Sequence, residues 1–149
     1  LKKEYIADIV LGYETDTLDR TGSIVNEKEG FNLEKSKVAA ILNQFIGESE
    51  QVPPYFSALK FKGIPLYKYA RKGIFIRKKP RTIFIDNIKL LKVEKNTIRI
   101  YVKCGKGTYI RSLARDIAYN LETYGYLDSL SRVSLGPYNK ENSMKIDEL

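Results

Sequence analysis

The sequence predicts an α+β fold, in which packed helices lie against a mixed, largely antiparallel sheet. Runs of alternating apolar residues, which are typical of strands, occur near the start and in the middle of the chain. Two other segments carry apolar residues at helical spacing. Strands and helices alternate irregularly, which favours antiparallel neighbours over a doubly wound parallel sheet.

The first third of the chain predicts a strand, a loop and a helix. Residues 4–12 form the strand, and residues 13–22, rich in Thr, Asp and Gly, form a shaped loop. Asn32 is the predicted N-cap of an amphipathic helix that we expect to stop at Gly47. One face of the strand holds alternate residues: Tyr5, Ala7, Ile9 and Leu11.

The middle of the chain predicts an irregular segment followed by a hairpin. Residues 51–73 contain adjacent prolines and no clean amphipathic period, so we expect an extended loop with a short helix near residues 66–71. The runs 82–93 and 97–104 are rich in β-forming residues, and Lys95-Asn96 between them predicts a tight turn.

The last third predicts a second amphipathic helix and a short closing unit. Gly105 to Thr108 leads into a helix with a continuous apolar stripe from Ile110 to Leu121. We expect another short helix over residues 127–130, followed by a strand through Val133, Leu135 and Tyr138.

Composition narrows the chemistry and the partners. The 149 residues suit one domain, and the net charge of +8 suggests a polyanionic partner such as a nucleic acid. No histidine occurs, which excludes a Ser-His-Asp triad and histidine-ligated metal sites, and the single Cys104 excludes an internal disulfide. A lone cysteine fits a reducing compartment, so we expect a cytoplasmic protein. No apolar run approaches the roughly 20 residues that cross a bilayer.

Two clusters on the helix and in the first loop allow opposing interpretations. Arg111 and Arg115 lie four residues apart on one helix face, where like charges call for an anion, either a carboxylate of the protein itself or an RNA phosphate or catalytic carboxylate. Asp16 and Asp19 suit acid–base chemistry or a hard cation, but the Thr and Gly around them favour loop capping.

Two further segments also leave alternatives open. Gly105 and Gly107 before the second helix fit an anion site or a turn that requires positive φ. Basic and aromatic residues alternate over 55–79, a pattern that suits single-stranded RNA or a solvated charged face.

Five motifs in order resemble the bacterial tRNA pseudouridine-55 synthase family of the TruB type. They cover nearly the whole chain. The first two, Lys3-Glu4-Tyr5 and the loop from Gly12 to Gly22, are similar to K-x-Y and to G-x-x-T-D-T-x-D-x-x-G. The longest runs from Gln51 to Gly73 and is similar to Q-x-P-P-x-(Y/F)-S-A-x-K-x-x-G-x-x-x-Y-x-x-A-R-x-G. The last two, Gly105 to Asp116 and Leu130 to Tyr138, resemble G-K-G-T-Y-I-R-S-L-A-R-D and L-x-R-x-x-x-G-P-(F/Y).

This resemblance implies isomerisation of a T-loop uridine of tRNA to pseudouridine, without cofactor or metal. It implies that Tyr5 stacks on the extruded base, that Arg111 holds the catalytic aspartate, and that Tyr109 and Leu130 line the pocket. Residues 51–80 resemble an insertion that grips the RNA stem-loop. The RNA-binding side chains that we expect are Lys60, Lys62, Tyr67, Arg71, Lys106 and Arg115.

One motif of the family is not found in these residues. The family's catalytic aspartate belongs to G-x-L-D-P-x-A-x-G, which precedes K-x-Y, and Thr17-Leu18-Asp19 imitates only its centre. We therefore expect residues 1–149 to be the C-terminal part of a catalytic domain, inactive on its own and monomeric in the intact enzyme. The alternative is a non-catalytic RNA-binding module.

Overall fold

A five-stranded sheet organises the chain. The computed structural model describes residues 2–57, 59–76 and 78–133. The sheet contains β1 (Lys3–Leu11), β4 (Gly47–Gln51), β7 (Arg81–Glu94), β8 (Thr97–Cys104) and β9 (Gly125–Val133), in the order β4-β7-β8-β1-β9. Its neighbouring strands pair antiparallel. The predicted α+β class with a largely antiparallel sheet is therefore confirmed.

The central strand β1 carries the predicted apolar face. Tyr5, Ala7, Ile9 and Leu11 are all buried, and the alternate positions are half-buried. On one side Tyr5 lies opposite Val102 of β8, and on the other it lies opposite Arg132 of β9. The β7–β8 hairpin also matches its prediction, and Lys95 in its turn has φ +54°.

Two helices pack on this sheet and complete the core. Helix α3 (Ile110–Asn120) buries the predicted apolar stripe, and β9 is the strand that it contacts most. Helix α1 (Lys35–Asn43) buries Val38 and Leu42 and packs on β7. Helix α2 (Leu66–Arg71) is the predicted short helix of the irregular segment.

The predicted loop 13–22 begins with a strand instead. Residues Tyr13–Thr15 form β2, which pairs antiparallel with β3 (Ile24–Glu27) in a separate two-stranded sheet. The predicted position of the α1 N-cap, Asn32, was also wrong by two residues. Glu34 occupies the N-cap, and Asn32 accepts the Glu34 backbone N–H at 2.9 Å through Oδ1, so it forms a turn before the helix.

Besides β2 and β3, three further strands were not predicted, and one predicted helix is a strand. Strand β4 pairs with β7, while β5 (Lys60–Phe61) and β6 (Ile64–Pro65) form a small hairpin. The predicted helix over residues 127–130 lies within β9, because pairing along β1 fixes an extended backbone there. Leu135 and Tyr138 lie outside the described residues. Among the described residues, no helix is both long and apolar enough to span a membrane.

Candidate active site

The loop after β2 is built around the carboxylate of Asp19. This side chain is only 2% exposed. Its Oδ1 accepts hydrogen bonds from Thr17 Oγ1 at 2.8 Å, from the Thr21 N–H at 2.9 Å and from Thr21 Oγ1 at 2.6 Å. Asp16 Oδ1 likewise accepts the Ser23 N–H at 3.0 Å. The interpretation of both aspartates as loop-capping residues is therefore confirmed.

The same loop docks on strand β9. The Leu127 N–H donates to the Leu18 carbonyl at 2.9 Å, and the Arg20 N–H donates to the Leu127 carbonyl at 3.1 Å. Leu18 adopts φ +66°, which lets the chain turn at this point. The loop is thus fixed both by its own side chains and by the sheet beside it.

Arg111 connects this loop to the proline-rich segment. It lies in the first turn of α3 and is 5% exposed. Its Nη1 donates to the Thr17 carbonyl and its Nη2 to the Phe56 carbonyl, each at 3.0 Å. A guanidinium is suited to this role because its terminal nitrogens donate in different directions from one rigid plane. Arg111 therefore holds together two segments that are 39 residues apart in sequence.

Gln51 fastens the start of the proline-rich segment to the start of α3. Its Oε1 accepts the Tyr109 N–H at 3.0 Å, and its Nε2 donates to the Tyr109 carbonyl at 3.1 Å. The amide thus pairs with both backbone groups of the N-cap residue. The sequence placed Gln51 in a motif but gave it no role, and only the fold shows that it faces Tyr109.

Arg115 binds the proline-rich segment one helical turn after Arg111. Its Nη2 donates to the Val52 carbonyl at 2.9 Å, and its Nε donates to the Asp116 carboxylate at 3.0 Å. Of the alternatives for this pair of arginines, a carboxylate of the protein itself is found at Arg115. Pro53 and Pro54 have no N–H to form regular backbone pairing, and the Val52 carbonyl takes its donor from α3.

Lys78 approaches the same segment from the far end of the insertion. Its Nζ donates to the Pro54 carbonyl at 2.6 Å and to Ser57 Oγ at 2.7 Å. Burial first, then repulsion from Arg111 and Arg81, lowers the pKa of this lysine to about 8. The sequence suggested a basic segment but did not single out Lys78, because its acceptors lie 21 and 24 residues earlier.

Tyr5 and Leu130 lie in the core of the sheet. Each is 3% exposed, and both belong to the main hydrophobic cluster. Burial, followed by the nearby Cys104, raises the pKa of the Tyr5 phenol, so this side chain remains neutral at physiological pH. The structure therefore places these two predicted pocket residues together in the core, while the Tyr109 side chain is half-buried at the start of α3.

The predicted RNA-binding residues lie mostly on the surface. Lys60 and Lys62 belong to the β5–β6 hairpin, and both are exposed, as are Arg71 and Lys106. Arg71 lies over the ring of Tyr67, with its guanidinium carbon 5.0 Å from the ring centroid. Arg115 differs from these residues because it is largely buried and hydrogen-bonded to the protein itself.

In the turn before α3, only one of the two glycines has the positive φ that the sequence suggested for such a turn. Gly107 has φ +88°, which favours glycine, whereas Gly105 is not in the left-handed region. Thr108 Oγ1 donates to the Gly105 carbonyl at 3.1 Å and closes the turn. The positive φ of Gly107 therefore explains why a glycine occupies this position.

A cavity of about 590 Å³ lies beside the proline-rich segment. Tyr55 and Phe75 form one wall, with their ring centroids 5.2 Å apart in an edge-to-face arrangement. Tyr119 also lines the cavity and donates to the Glu14 carboxylate, and burial together with this bond raises the pKa of its phenol. Aromatic walls of this kind can take a flat ring such as a nucleobase.

Comparison with known proteins identifies the same family that the sequence motifs resemble. The family described as "TruB family pseudouridylate synthase (N terminal domain)" matches residues 1–110. The chain belongs to the TruB family. A tRNA pseudouridine synthase B of Marinomonas sp. (strain MWYL1) is 42% identical over 98% of this chain and 47% of its own length. The corresponding protein of Clostridium kluyveri is 45% identical over 99% of this chain and 51% of its own length.

A solved structure described as a Cbf5-Nop10-Gar1 complex agrees with the fold. Its matching chain has a TM-score of 0.62 and 25% identity, over 93% of this chain and 32% of its own length. The TruB-family chain spans about half the length of the curated relatives it matches. The family assignment is therefore shown, whereas the prediction that residues 1–149 are the C-terminal part of a catalytic domain stays a prediction.

Proposed function

We propose that this TruB-family chain is part of a tRNA pseudouridine synthase that converts uridine 55 of the T-loop to pseudouridine. The observation that carries the proposal is the position of Arg111, which is buried where the loop after β2 meets the proline-rich segment. An arginine held there by two backbone carbonyls has a fixed orientation. It can position a catalytic carboxylate that comes from another segment of the enzyme.

In this proposal the other pocket residues surround the extruded uracil. Tyr5 stacks on the base, and Leu130 and Tyr109 enclose it. Tyr5 and Leu130 are each 3% exposed. The base can therefore reach them only after the packing around β1 and β9 changes, so the proposal includes a rearrangement when RNA binds.

Residues 51–80 grip the RNA stem-loop in the same proposal. The exposed cations of the small hairpin and of α2 lie within this insertion, and their charge fits the phosphate backbone. The Arg71 guanidinium packs over the ring of Tyr67, which limits its orientation. Lys106 extends the exposed basic surface towards α3, where the largely buried Arg115 adds its charge and is held in place by its bond to the Val52 carbonyl.

The test is tritium release from unmodified tRNA labelled at carbon 5 of uridine. Residues 1–149 alone should release none, and the same chain joined to an upstream segment containing G-x-L-D-P-x-A-x-G should release tritium. Turnover by residues 1–149 alone would instead make Asp19 or another acid of this chain the nucleophile. No release by the extended chain, despite tRNA binding, would overturn the proposed activity.

A non-catalytic RNA-binding module is the second candidate. The lack of G-x-L-D-P-x-A-x-G in these 149 residues favours it. This candidate predicts salt-dependent binding of a T-stem-loop, with no turnover before or after the upstream segment is added. The tritium assay and a binding titration together separate the two.

The family resemblance also carries expectations about assembly and location. We propose that the intact enzyme acts as a monomer in the cytoplasm, where tRNA is modified. Sedimentation of the extended chain at micromolar concentration should show a single species with the mass of one chain.

A further inference from the structure

Lys78 closes the insertion into a ring. Its hydrogen bonds to the Pro54 carbonyl and to Ser57 Oγ join the end of the insertion to its beginning. The part of the chain between Ser57 and Lys78 contains the β5–β6 hairpin and α2. These elements carry most of the predicted RNA-binding residues. The ring is fastened next to Arg111, because Phe56 lies between the two residues that Lys78 binds.

The near end of the ring is itself held to the body of the domain. Gln51 pairs with Tyr109, Arg115 donates to the Val52 carbonyl, and Arg111 donates to the Phe56 carbonyl. The far end has the Lys78 bonds and continues into β7 at Arg81. Three cations therefore bind alternate carbonyls of the proline-rich segment, those of Val52, Pro54 and Phe56.

We propose that Lys78 is a positioning residue that holds the insertion in its RNA-binding orientation. This inference rests on the proposed function, since it assigns the orientation of the same RNA grip. Ser57 connects the lysine to the grip, because its side chain is bound by Lys78 and its carbonyl accepts the Tyr67 N–H at 3.1 Å. Arg71 packs on the ring of that tyrosine. A shift of Ser57 is thus passed to Tyr67 and Arg71.

The electrostatics of Lys78 separate this role from a general stabilising role. Its ammonium is partly buried and lies near Arg111 and Arg81, and both effects disfavour its charge. Replacement by Met keeps the aliphatic length and removes the charge, which relieves the repulsion. The variant therefore loses the fastening of the insertion without an equal loss in the stability of the sheet.

The first experiment measures amide hydrogen exchange of the RNA-free chain. Lys78→Met should lower protection in residues 59–76 by about tenfold. Loss of the two Lys78 hydrogen bonds shifts the opening equilibrium of the insertion by about that factor. Lys78→Arg should retain most of the protection, because a guanidinium also donates to both acceptors. Lys89→Met is the matched control, since it removes the same charge from an exposed position on β7. Unchanged protection in Lys78→Met would overturn the proposal whether or not RNA binds.

The second experiment measures the affinity for an unmodified T-stem-loop together with the melting temperature. Lys78→Met should raise Kd about tenfold with a melting temperature close to that of the wild type, and Lys78→Arg should restore binding to within about threefold. Looser exchange with unchanged Kd would overturn the positioning role. A parallel fall in melting temperature and affinity, not rescued by Arg, would reduce Lys78 to a structural residue. If the wild type binds no T-stem-loop, the proposed function fails, and the exchange result still reports on the fastening.

Discussion

Arg111 of α3 donates a hydrogen bond from Nη2 to the carbonyl of Phe56, 55 residues earlier in the chain. With its bond to the Thr17 carbonyl, this contact places one buried cation between the first loop and the insertion. The family resemblance assigns Arg111 to catalysis and residues 51–80 to RNA binding, and this hydrogen bond joins the two directly.

Arg111→Lys should lower the free energy of unfolding by about 1 to 3 kcal/mol. A single ammonium cannot reach both carbonyls in the geometry of the guanidinium, so a buried acceptor loses its donor. Urea unfolding followed by circular dichroism measures the change. Arg20→Lys at an exposed loop position is the control, with an expected change within about 0.5 kcal/mol. Equal stability of the two variants would show that the Arg111 bonds contribute little.

Gly22→Ala should destabilise the first loop. A Cβ at this position would lie 2.3 Å from Thr17 Oγ1, 2.4 Å from Asp16 Oδ1 and 2.9 Å from the Thr17 backbone nitrogen. These atoms belong to the loop network that Arg111 binds, so relief of the clash costs about 1 to 3 kcal/mol. Thermal unfolding measures it. Gly105→Ala is a suitable control, since its nearest contacts would be 3.8 and 3.9 Å away. A loss in Gly22→Ala no larger than in this control would contradict the expected clash.

Lys62→Gln should weaken tRNA binding without changing its selectivity. Lys62 is exposed in the turn between β5 and β6, and a lysine that contacts a phosphate adds affinity without reading the sequence. The slope of log Kobs against log salt should fall in magnitude by about 1. Filter binding over a series of salt concentrations gives the slope, and Lys89→Gln on β7 should leave it unchanged. An unaltered slope in Lys62→Gln would remove this residue from the RNA surface.

The stability of the wild type relative to Lys78→Met should increase with pH above about 8. The folded-state pKa of Lys78 is lowered to about 8 from its ordinary value of 10.5. The unfolded chain therefore binds more protons between these values, and the free energy of unfolding rises with pH across that window. Below pH 8 the cost of the buried charge is present in full. Urea midpoints at pH 7 and pH 9.5 for both proteins test this, and a constant difference would contradict it.

Local signals were sufficient for part of the fold. The β7–β8 hairpin was predicted because β-formers flank Lys95-Asn96, and α3 because its apolar stripe is continuous. Strand β4 was missed because its residues, 47–51, are mostly polar and exposed, and only pairing with β7 makes them a strand. Residues 127–130 were wrongly assigned to a helix because two leucines three positions apart also suit helical spacing.

The candidate site divides in the same way. The motifs identified Arg111 and Arg115, since the four-residue spacing and the charges are visible in the sequence. The backbone carbonyls that these arginines bind could not be predicted, because any residue can supply a carbonyl and no side-chain pattern marks it. The role of Lys78 was hidden for the same reason, since its acceptors depend on how the insertion returns to the sheet.

The four-residue spacing on α3 is matched by a four-residue spacing on the proline-rich segment. Arg111 meets residue 56 and Arg115 meets residue 52, so the two segments run in opposite directions with a fixed alignment. One inserted or deleted residue between positions 111 and 115 would rotate the second arginine by about 100° around the helix, away from its carbonyl. A length change between the prolines and Phe56 would break the alignment from the other side. Length variation during evolution should therefore spare both four-residue intervals and fall at exposed turns outside them, such as the turn of the β5–β6 hairpin.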